Sequence, residues 1–250
     1  MKTIELQQTD STNSWIARNA GSLEGECLVY ALSQTAGRGQ RGNSWEAEPE
    51  KNITASALIH PVGVLPQQQF LISEAVALAV VDFLGSLGVV AMVKAPNDVY
   101  AGDKKICGIL IEHAVMPGVI MRTVAGIGIN INQTTFVSDA PNPVSVCSLT
   151  GKEYDIPALA ALLAEKLSER LRVLYGELAA VEGDGAVATH SEFFGKLWRG
   201  DGRFYPFFDR LAGEYINARI VDVAPDGILS LEPDSGRVRK FAFKEVEFLL

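Results

Sequence analysis

Residues 68–84 carry apolar side chains around most of the circumference of a helix, and this stretch limits the fold more than any other. A surface helix shows one apolar stripe, so a helix that is apolar on several sides has to be covered on several sides. The overlapping window of residues 75–93 raises the alternative of a membrane span, but Asp82, Gly85 and Gly88 interrupt it and Lys94 ends it. We therefore predict a buried helix followed by a strand, and no contact with a membrane.

The rest of the chain alternates short apolar runs with turns rich in glycine, proline and aspartate. Strands are predicted at residues 3–6, 27–32, 53–59, 89–93, 106–112 and 122–131, and, in a strand-rich tail, at residues 214–223, 227–231 and 237–243. Further helices are predicted to start near residue 12 and to span residues 156–174 and 191–198. The 250 residues suit one large domain with a small second one, and we place the boundary near residue 203.

A loop at residues 33–44, directly after an apolar run, is predicted to bind an anion. Its glycines and arginines are Gly37, Arg38, Gly39, Arg41 and Gly42. Glycine lets backbone N–H groups approach a ligand, and arginine offers a charged fork that suits carboxylate and phosphate oxygens. The glycine spacing also fits a dinucleotide fingerprint, but Pro49 opposes the helix that must follow, and residues 55–60 contain no acidic residue. A phosphate-binding P-loop is excluded because no Gly-Lys-Ser/Thr follows, and a solvated hairpin loop is the remaining alternative.

Two further stretches combine polar groups or glycines with the ends of predicted elements. Residues 10–13, Asp-Ser-Thr-Asn, can cap a helix, and their hydroxyl and amide groups can also bind a small polar ligand. Gly126 and Gly128 lie in a predicted strand that ends at Asn130. Glycine in a strand indicates the close approach of another group, and we expect this strand to pass near a ligand.

Charged side chains also meet at one end of a predicted hairpin. Lys94 and Asp98 follow a strand, with Asn97 between them, and a turn at residues 102–103 leads Lys105 into the next strand. A solvated turn is the alternative for Lys105. Lys94 and Asp98 fit that alternative less well, because they stand where an apolar strand has just ended.

Composition and charge narrow the classes of partner and compartment. The formal net charge of −8 argues against a general nucleic-acid-binding surface. The three cysteines are far apart and form no C-x-x-C pair, which favours reduced thiols in the cytoplasm over disulfides or zinc. The first residues lack the apolar core of a secretion signal. We expect a cytoplasmic protein that does not bind nucleic acid.

Taken together, these stretches resemble the biotin protein ligases. The matching segments are Asp10-Ser11-Thr12-Asn13, Gln34 to Gly42, Lys94-x-Pro96-Asn97-Asp98, Lys105-x-x-Gly108 with the run to Glu112, and Gly126-x-Gly128-x-Asn130. They follow the family's order with similar gaps, and the resemblance covers most of residues 1–180. Gln40 and Ala95 depart from it, since many relatives have arginine and tryptophan there. Only ten residues precede Ser11, so the resemblance implies the monofunctional type without an N-terminal DNA-binding domain.

The resemblance implies a fold and a reaction. The fold is α/β (α+β): a catalytic domain with a mixed sheet, similar to class II aminoacyl-tRNA synthetases, at residues 1–202, and a small SH3-like β-barrel at residues 203–250. The reaction joins biotin to ATP as biotinyl-5'-AMP, with Mg²⁺, and then transfers biotin to a lysine of a biotin carboxyl carrier protein or domain.

The resemblance also assigns residues to that chemistry. The catalytic residues it implies are Arg38, Lys94, Asp98 and Lys105, with Asp98 as a metal ligand. The biotin-binding residues are Ser11, Thr12, Asn13, Gln34, Gly37, Arg38, Gly39, Gln40, Lys105 and Gly108. The residues at ATP or the adenylate are Arg38, Arg41, Trp45, Asn97, Lys105 and Asn130. Part of residues 37–43 is expected to order over the adenylate as a lid.

Several alternatives stay open. A lipoate-type ligase of the same superfamily would need no polar wall for a ureido ring, and a non-enzymatic biotin-binding regulator would need no cations that bridge two anions. We expect residues 122–132 to form a sheet edge, which would pair in a homodimer or dock the carrier domain.

Overall fold

The computed structural model describes residues 1–137, 142–180, 187–242 and 244–249, and of Arg41 only the backbone. Two sheets organise these residues. The first has seven strands in the order β1-β2-β3-β7-β6-β5-β4, and the second has five in the order β11-β10-β9-β8-β12. In the first sheet β1 pairs with β2 in parallel and all other neighbours are antiparallel, so the sheet is mixed. The predicted mixed α/β fold is confirmed.

The first sheet contains long central strands and short strands at one edge. Its strands are β1 (Lys2–Thr9), β2 (Cys27–Gln34), β3 (Ile53–Ile59), β4 (Met92–Lys94), β5 (Asp98–Ala101), β6 (Lys104–Met116) and β7 (Val119–Ile129). The predicted strand at residues 53–59 is confirmed residue for residue, whereas the one at residues 89–93 starts only at Met92. The turn predicted at residues 102–103 joins β5 to β6.

Within the described ranges, five α-helices accompany the sheets. They are α1 (Thr12–Asn19), α2 (Phe70–Ser86), α3 (Val146–Thr150), α4 (Ile156–Ala180) and α5 (Ala188–Gly195). The first sheet separates α1 from the other long helices, as β2 shows: Leu28 and Tyr30 belong to the main apolar core with α2 and α4, whereas Cys27 and Val29 pack with Ile16 of α1. This alternation is the two-residue period of a strand whose two faces are both buried.

Helix α2 is the segment that is apolar on all sides. Thirteen of its residues are buried, and it packs against α4, α5, β4 and β5. By length and hydropathy the segment Pro66–Ser86 could cross a membrane, but 72% of its most apolar window is buried inside the protein. The covering of α2 on several sides, predicted from its sequence, is confirmed.

The second sheet begins where the chain leaves α5. Its strands are β8 (Tyr205–Asp209), β9 (Glu214–Val223), β10 (Leu229–Pro233), β11 (Arg239–Phe241) and β12 (Val246–Phe248). All its pairs are antiparallel. The sequence predicted β9, β10 and β11 within a few residues but not β8 or β12. The domain boundary at residue 203 remains a prediction, and the second sheet begins two residues after it.

The prediction that residues 122–132 form a sheet edge is wrong. Strand β7 lies in the middle of the first sheet and pairs along its length with β6 and, from Thr123 to Ile129, with β3. Its backbone groups there are used on both sides, so this segment offers no edge to a second chain. The edge strands are β1 and β4.

Candidate functional site

A cleft of about 860 Å³ opens on the face of the first sheet that carries α1, and the second sheet contributes part of its wall. The residues from the first sheet's side that line it include Ser11, Thr12, Asn13, Gln34, Arg38, Gly39, Gln40, Trp45, Lys94, Asn97, Asp98, Lys105, Gly108 and Asn130. Those from the second sheet's side include Arg210, Leu229, Phe241, Lys244, Val246, Glu247 and Phe248. The structure therefore brings together the segments near residues 11, 38, 98 and 105 that the sequence singled out.

Of the predicted site residues whose side-chain positions the structure describes, Gly37 does not line the cleft. The side chain of Arg41 lies outside the described residues. Gly37 instead shapes the loop: a β-carbon there would lie 2.5 Å from the backbone oxygen of Trp45, where the loop folds back on itself. Any larger residue would have to displace backbone, so glycine is required at this position for packing.

One end of the cleft is built from a chain of buried polar groups at the start of α1. Gln34 Oε1 accepts hydrogen bonds from the backbone N–H of Thr12, at 2.8 Å, and from its hydroxyl, at 3.2 Å. Ser56 Oγ lies 2.7 Å from Thr12 Oγ1 and 2.5 Å from Asn13 Oδ1. Ser11, the N-cap of α1, makes no side-chain capping bond. Ser11 Oγ and Gln34 Nε2 have no partner among the described residues, so both are free to bind a polar ligand.

The chain of polar groups continues to Glu112 and Arg38. Asn13 Nδ2 donates to Glu112 Oε2 at 2.8 Å. Arg38 donates to the same carboxylate through Nη1, at 3.2 Å, and through Nη2, at 2.8 Å. Partial burial opposes ionisation of Glu112, but the hydrogen bonds from Arg38 and Asn13 outweigh it and lower the pKa of this carboxyl. The predicted anion-binding arginine is thus held by a carboxylate of β6.

The other predicted cation, Lys105, also has a carboxylate partner in the cleft. Its Nζ lies 2.8 Å from Asp98 Oδ1, and both side chains are about one-fifth exposed. Strands β5 and β6 bring the two residues together at the end of the hairpin predicted from the sequence. Asn97 secures the adjoining turn, because its Nδ2 donates to the backbone oxygen of Ile109 at 3.0 Å.

Lys94 lies among aromatic rings from both sheets and from the segment between α5 and β8. Its Nζ is 3.1 Å from the hydroxyl of Tyr100, and it lies 4.9 Å from the centre of that ring, 5.8 Å from Trp198 and 5.5 Å from Phe248. Burial lowers the pKa of Lys94; nearby Lys105 and other cations add to the shift and Asp98 opposes it. The rings attract the ammonium group and partly compensate for its lost water.

Glycines of β6 and β7 form the floor of the cleft, and Trp45 lies on it. Gly108 and Gly128 face each other across the two strands, and a β-carbon at either position would collide with the indole of Trp45. Lys105 Nζ lies 5.8 Å from the centre of this ring. Trp45 Nε1 is buried and has no partner in the part of the chain that the structure describes. The strand predicted to approach a ligand here approaches the protein's own side chain.

Hydrogen bonds fasten the segment between the loop at residues 33–44 and β3 to the residues that follow β7. Asn52 Nδ2 donates to Gln133 Oε1 at 2.5 Å, and its Oδ1 accepts from the N–H of Ile131 at 3.0 Å. Gln133 Nε2 in turn donates to Glu46 Oε1 at 3.1 Å. Asn130 is buried, with its amide bonded to Val144 O at 3.1 Å, so it shapes the cleft wall from below.

The described residues contain no cluster of three or more histidine, cysteine or acidic side chains that would by itself hold a metal ion. Asp98 lines the cleft beside Lys105. Mg²⁺ in nucleotide sites is usually bound by one or two carboxylates together with substrate phosphates. A single carboxylate beside the predicted phosphate site fits that mode of binding.

Sequence reasoning did not assign three contributors to the site. Ser56 is a hydroxyl in a strand whose other residues are mostly apolar, and that contrast was the available signal. Glu112 was recognised only as the end of a motif, and its partners are 74 and 99 residues away. The wall from β11 and β12 gave no signal, because it consists mainly of ordinary strand residues.

Comparisons with known proteins agree with this geometry. Residues 4–132 match the model of the biotin/lipoate A/B protein ligase family. The chain is 35% identical to a biotin–[acetyl-CoA-carboxylase] ligase of Paracoccus denitrificans over 64% of this chain and 68% of that protein. It is 34% identical to a protein of the same name from Mycobacterium tuberculosis, over 66% and 62% of the two chains. The match to the Escherichia coli bifunctional ligase/repressor BirA is 29% over 69% of this chain and only 54% of that one.

Solved structures show the same fold. A biotin protein ligase from Aquifex aeolicus in complex with biotin and ATP superimposes with a TM-score of 0.74 at 21% identity, covering 99% of this chain and 98% of the other. The biotin protein ligase of Leishmania major in complex with biotin gives a TM-score of 0.60 at 19% identity, over 97% and 99% of the two chains. The likeness therefore extends over both sheets.

Proposed function

Because the chain belongs to the biotin/lipoate A/B protein ligase family, we propose that it is a biotin protein ligase, which activates biotin with ATP and transfers it to a lysine of a biotin carboxyl carrier protein. The observation that carries this proposal is one cleft with two different ends. Ser11, Thr12 and Gln34 form a neutral polar end, while Arg38 and Lys105, 67 residues apart, supply cations.

The cations suit the first step of the reaction. A carboxylate oxygen of biotin bonds to the α-phosphorus of ATP as the bond to pyrophosphate breaks, and no general base is needed because the nucleophile is already an anion. Two unit charges about 4 Å apart repel by roughly 4 kcal/mol at an effective dielectric constant of about 20. Arg38, Lys94 and Lys105 offset this repulsion. Mg²⁺, with Asp98 as the protein's carboxylate, would add further positive charge at the phosphates.

The neutral end suits the ureido ring of biotin. Ser11 Oγ and Gln34 Nε2 are free of partners within the described ranges, while the hydroxyl and N–H of Thr12 hold Gln34 in place. A urea group offers both a carbonyl acceptor and N–H donors, so it can use a hydroxyl and a carboxamide together. A dithiolane ring offers neither, and this favours biotin over a lipoate-type substrate.

In the second step the ε-amine of the carrier lysine attacks the carbonyl carbon of biotinyl-5'-AMP. An amide forms, AMP leaves, and the amine loses a proton. Asp98, which lines the cleft, is the carboxylate that we assign to orient that amine. A lid formed by part of residues 37–43 would limit hydrolysis of the adenylate. We propose that the protein acts in the cytoplasm with its carrier, and its three free cysteines suit that compartment. The reaction needs neither nucleic acid nor membrane, and a homodimer is compatible with it.

The decisive experiment measures the mass of a biotin carrier domain after incubation with the protein, biotin and Mg-ATP. We expect the carrier to gain one biotinyl group, and a carrier whose acceptor lysine is replaced by arginine to gain none. Lipoyl transfer in place of biotinyl transfer would favour the lipoate-type alternative. An unmodified carrier together with biotin binding that ATP does not alter would show a non-enzymatic binding protein instead.

A further inference from the structure

We propose that Glu112 is a positioning residue for Arg38: it holds the guanidinium group in the cleft and links it to the polar groups at the start of α1. The placement of Arg38 follows from contacts in the structure, whereas the catalytic consequence rests on the proposed ligase function. Glu112 lies on β6 at two-residue spacing from Gly108 and Leu110, which line the cleft, so its side chain lies on the same face of the sheet as theirs.

The geometry of the ion pair leaves one edge of Arg38 free. A guanidinium group can bind a carboxylate through its two terminal nitrogens and a second anion through Nε and one terminal nitrogen. Glu112 takes the terminal edge, with Nη2 2.8 Å from Oε1 and Nη1 3.2 Å from Oε2. Nε has no partner among the described residues. Glu112 can therefore keep its bonds while Arg38 binds a carboxylate or phosphate through the other edge.

Arg38 needs such a support for its side chain, because the loop fixes only its backbone. An isolated bridge joins Arg38 to Ser44, and the N–H of Trp45 donates to the backbone oxygen of Gly37 at 3.0 Å. The side chain of Arg38 is 44% exposed. A flexible cation loses side-chain entropy when it binds an anion, and a partner that fixes it beforehand removes much of that cost.

Glu112 is itself fixed on the opposite side. Asn13 Nδ2 donates to its Oε2, and Asn13 Oδ1 is held by Ser56 Oγ at 2.5 Å. Gly126 on β7 leaves the space for Asn13, since a β-carbon there would collide with the carboxamide. The ionised carboxylate thus connects the neutral polar end of the cleft to its anion-binding arginine, two regions that hold opposite ends of the proposed substrate.

The test compares four proteins: wild type, Glu112→Gln, Arg38→Ala and the double variant. Calorimetry measures the affinity for Mg-ATP in the absence of biotin, and biotin-dependent exchange of pyrophosphate into ATP measures kcat and KM. Loss of a charge-assisted hydrogen-bonded pair predicts that Glu112→Gln lowers kcat/KM and ATP affinity by about ten- to hundredfold. Because Glu112 acts through Arg38, the double variant should be no worse than Arg38→Ala alone.

A matched control is Glu232→Gln. Arg219 and Glu232 form an ion pair of similar exposure, 2.6 Å between Nη2 and Oε2, that does not line the cleft. Its loss should change neither activity nor ATP affinity. Glu112→Asp retains the charge on a shorter side chain and should restore part of both quantities. Thermal unfolding of every variant shows whether it is folded. If Glu112→Gln does not fold, Glu112→Asp takes its place in the double-mutant cycle with Arg38→Ala.

Three results would overturn the inference: wild-type ATP affinity in Glu112→Gln, additive losses in the double variant, or tighter ATP binding in Glu112→Gln, which would mean that Glu112 competes with the substrate. The ligase proposal fails separately. If the wild-type protein catalyses no biotin-dependent exchange, that proposal is wrong, while non-additive losses of ATP affinity would still support the role of Glu112.

Discussion

A buried carboxyl group on α2 should make the stability of this protein fall as the pH rises towards neutrality. Glu74 is fully buried, and its Oε1 lies 2.8 Å from Nδ1 of His190 on α5. Glu74 Oε2 is buried without a partner among the described residues. Asp222 of β9 lies on the other side of the imidazole, 4.0 Å from Nε2. This cluster joins the main core to the second sheet.

Burial raises the pKa of Glu74 from its ordinary 4.5 to about 7; Asp222 adds to the rise, and His190 opposes it. Below pH 4.5 the carboxyl is protonated in both folded and unfolded chains, and this contribution to stability is fully present. Between pH 4.5 and about 7 the unfolded chain releases the proton while the folded protein retains it. At 1.36 kcal/mol per pH unit, the free energy of unfolding should fall by about 3 kcal/mol over this range.

Glu74→Gln tests this directly, because the carboxamide can still hydrogen-bond to His190 but has no proton to release. Urea unfolding at pH 5, 6, 7 and 8 gives the free energy of unfolding for both proteins. From pH 5 to pH 8 we expect the wild type to lose about 2.5 kcal/mol relative to Glu74→Gln, because about 1 kcal/mol of the fall is already complete at pH 5. Titrating groups that do not contact Glu74 cancel in the difference.

A control variant, Glu192→Gln, tests a carboxyl group whose contribution to stability should change with pH in the opposite direction. Hydrogen bonds from Arg170 lower the pKa of Glu192, although partial burial opposes them, so its contribution is present at neutral pH and is lost on acidification. Glu192→Gln should therefore be destabilising at pH 7 and less so at pH 4. If the stability curves of wild type and Glu74→Gln stay parallel from pH 5 to 8, the reasoning about Glu74 is refuted.

Three further predictions concern the cleft. Lys105→Ala removes a cation from it and should slow biotin-dependent pyrophosphate exchange by about two to three orders of magnitude; near-normal exchange would show that the charge is not needed. Gly126→Ala places a methyl group against the Asn13 carboxamide and should weaken biotin binding, measured by calorimetry, at least about tenfold. An unchanged affinity would show that Asn13 is not part of the site. Phe248→Ala removes one ring from Lys94 and should raise the KM for ATP by about two- to thirtyfold, corresponding to a cation–π contribution of about 0.5–2 kcal/mol; an unchanged KM would contradict a role for the second sheet.

Apolar patterning predicted most of the fold because it records which faces are buried. The run Ile53–Ile59, buried on both faces, was predicted to the residue, and the helix at residues 156–174 was found with its start correct. Strand β12 was missed because Val246–Phe248 has only three residues and stands next to charged ones. Such a strand exists through its pairing with β8, and this partner is not visible in local sequence.

In the candidate site, too, local sequence predicted some features, while others depend on residues that are far apart in the chain. Side-chain chemistry singled out the segments of Ser11, Arg38 and Lys105 as candidates, and the resemblance to biotin protein ligases assigned their roles. The structure brings these three residues to one cleft. Side-chain chemistry could not identify which carboxylate meets which cation. Glu112 is one of thirty acidic residues, and only the pairing of β6 with its neighbours brings it to Arg38.

The indole that lies on the glycine floor also equips the protein with an optical reporter. Trp45 is one of three tryptophans, and neither Trp15 nor Trp198 is among the residues that line the cleft. A molecule that fills this space has to cover the ring or displace it, and either event changes the polarity around the chromophore. The tryptophan fluorescence would then follow occupancy without a label, and Trp45→Phe would remove this response.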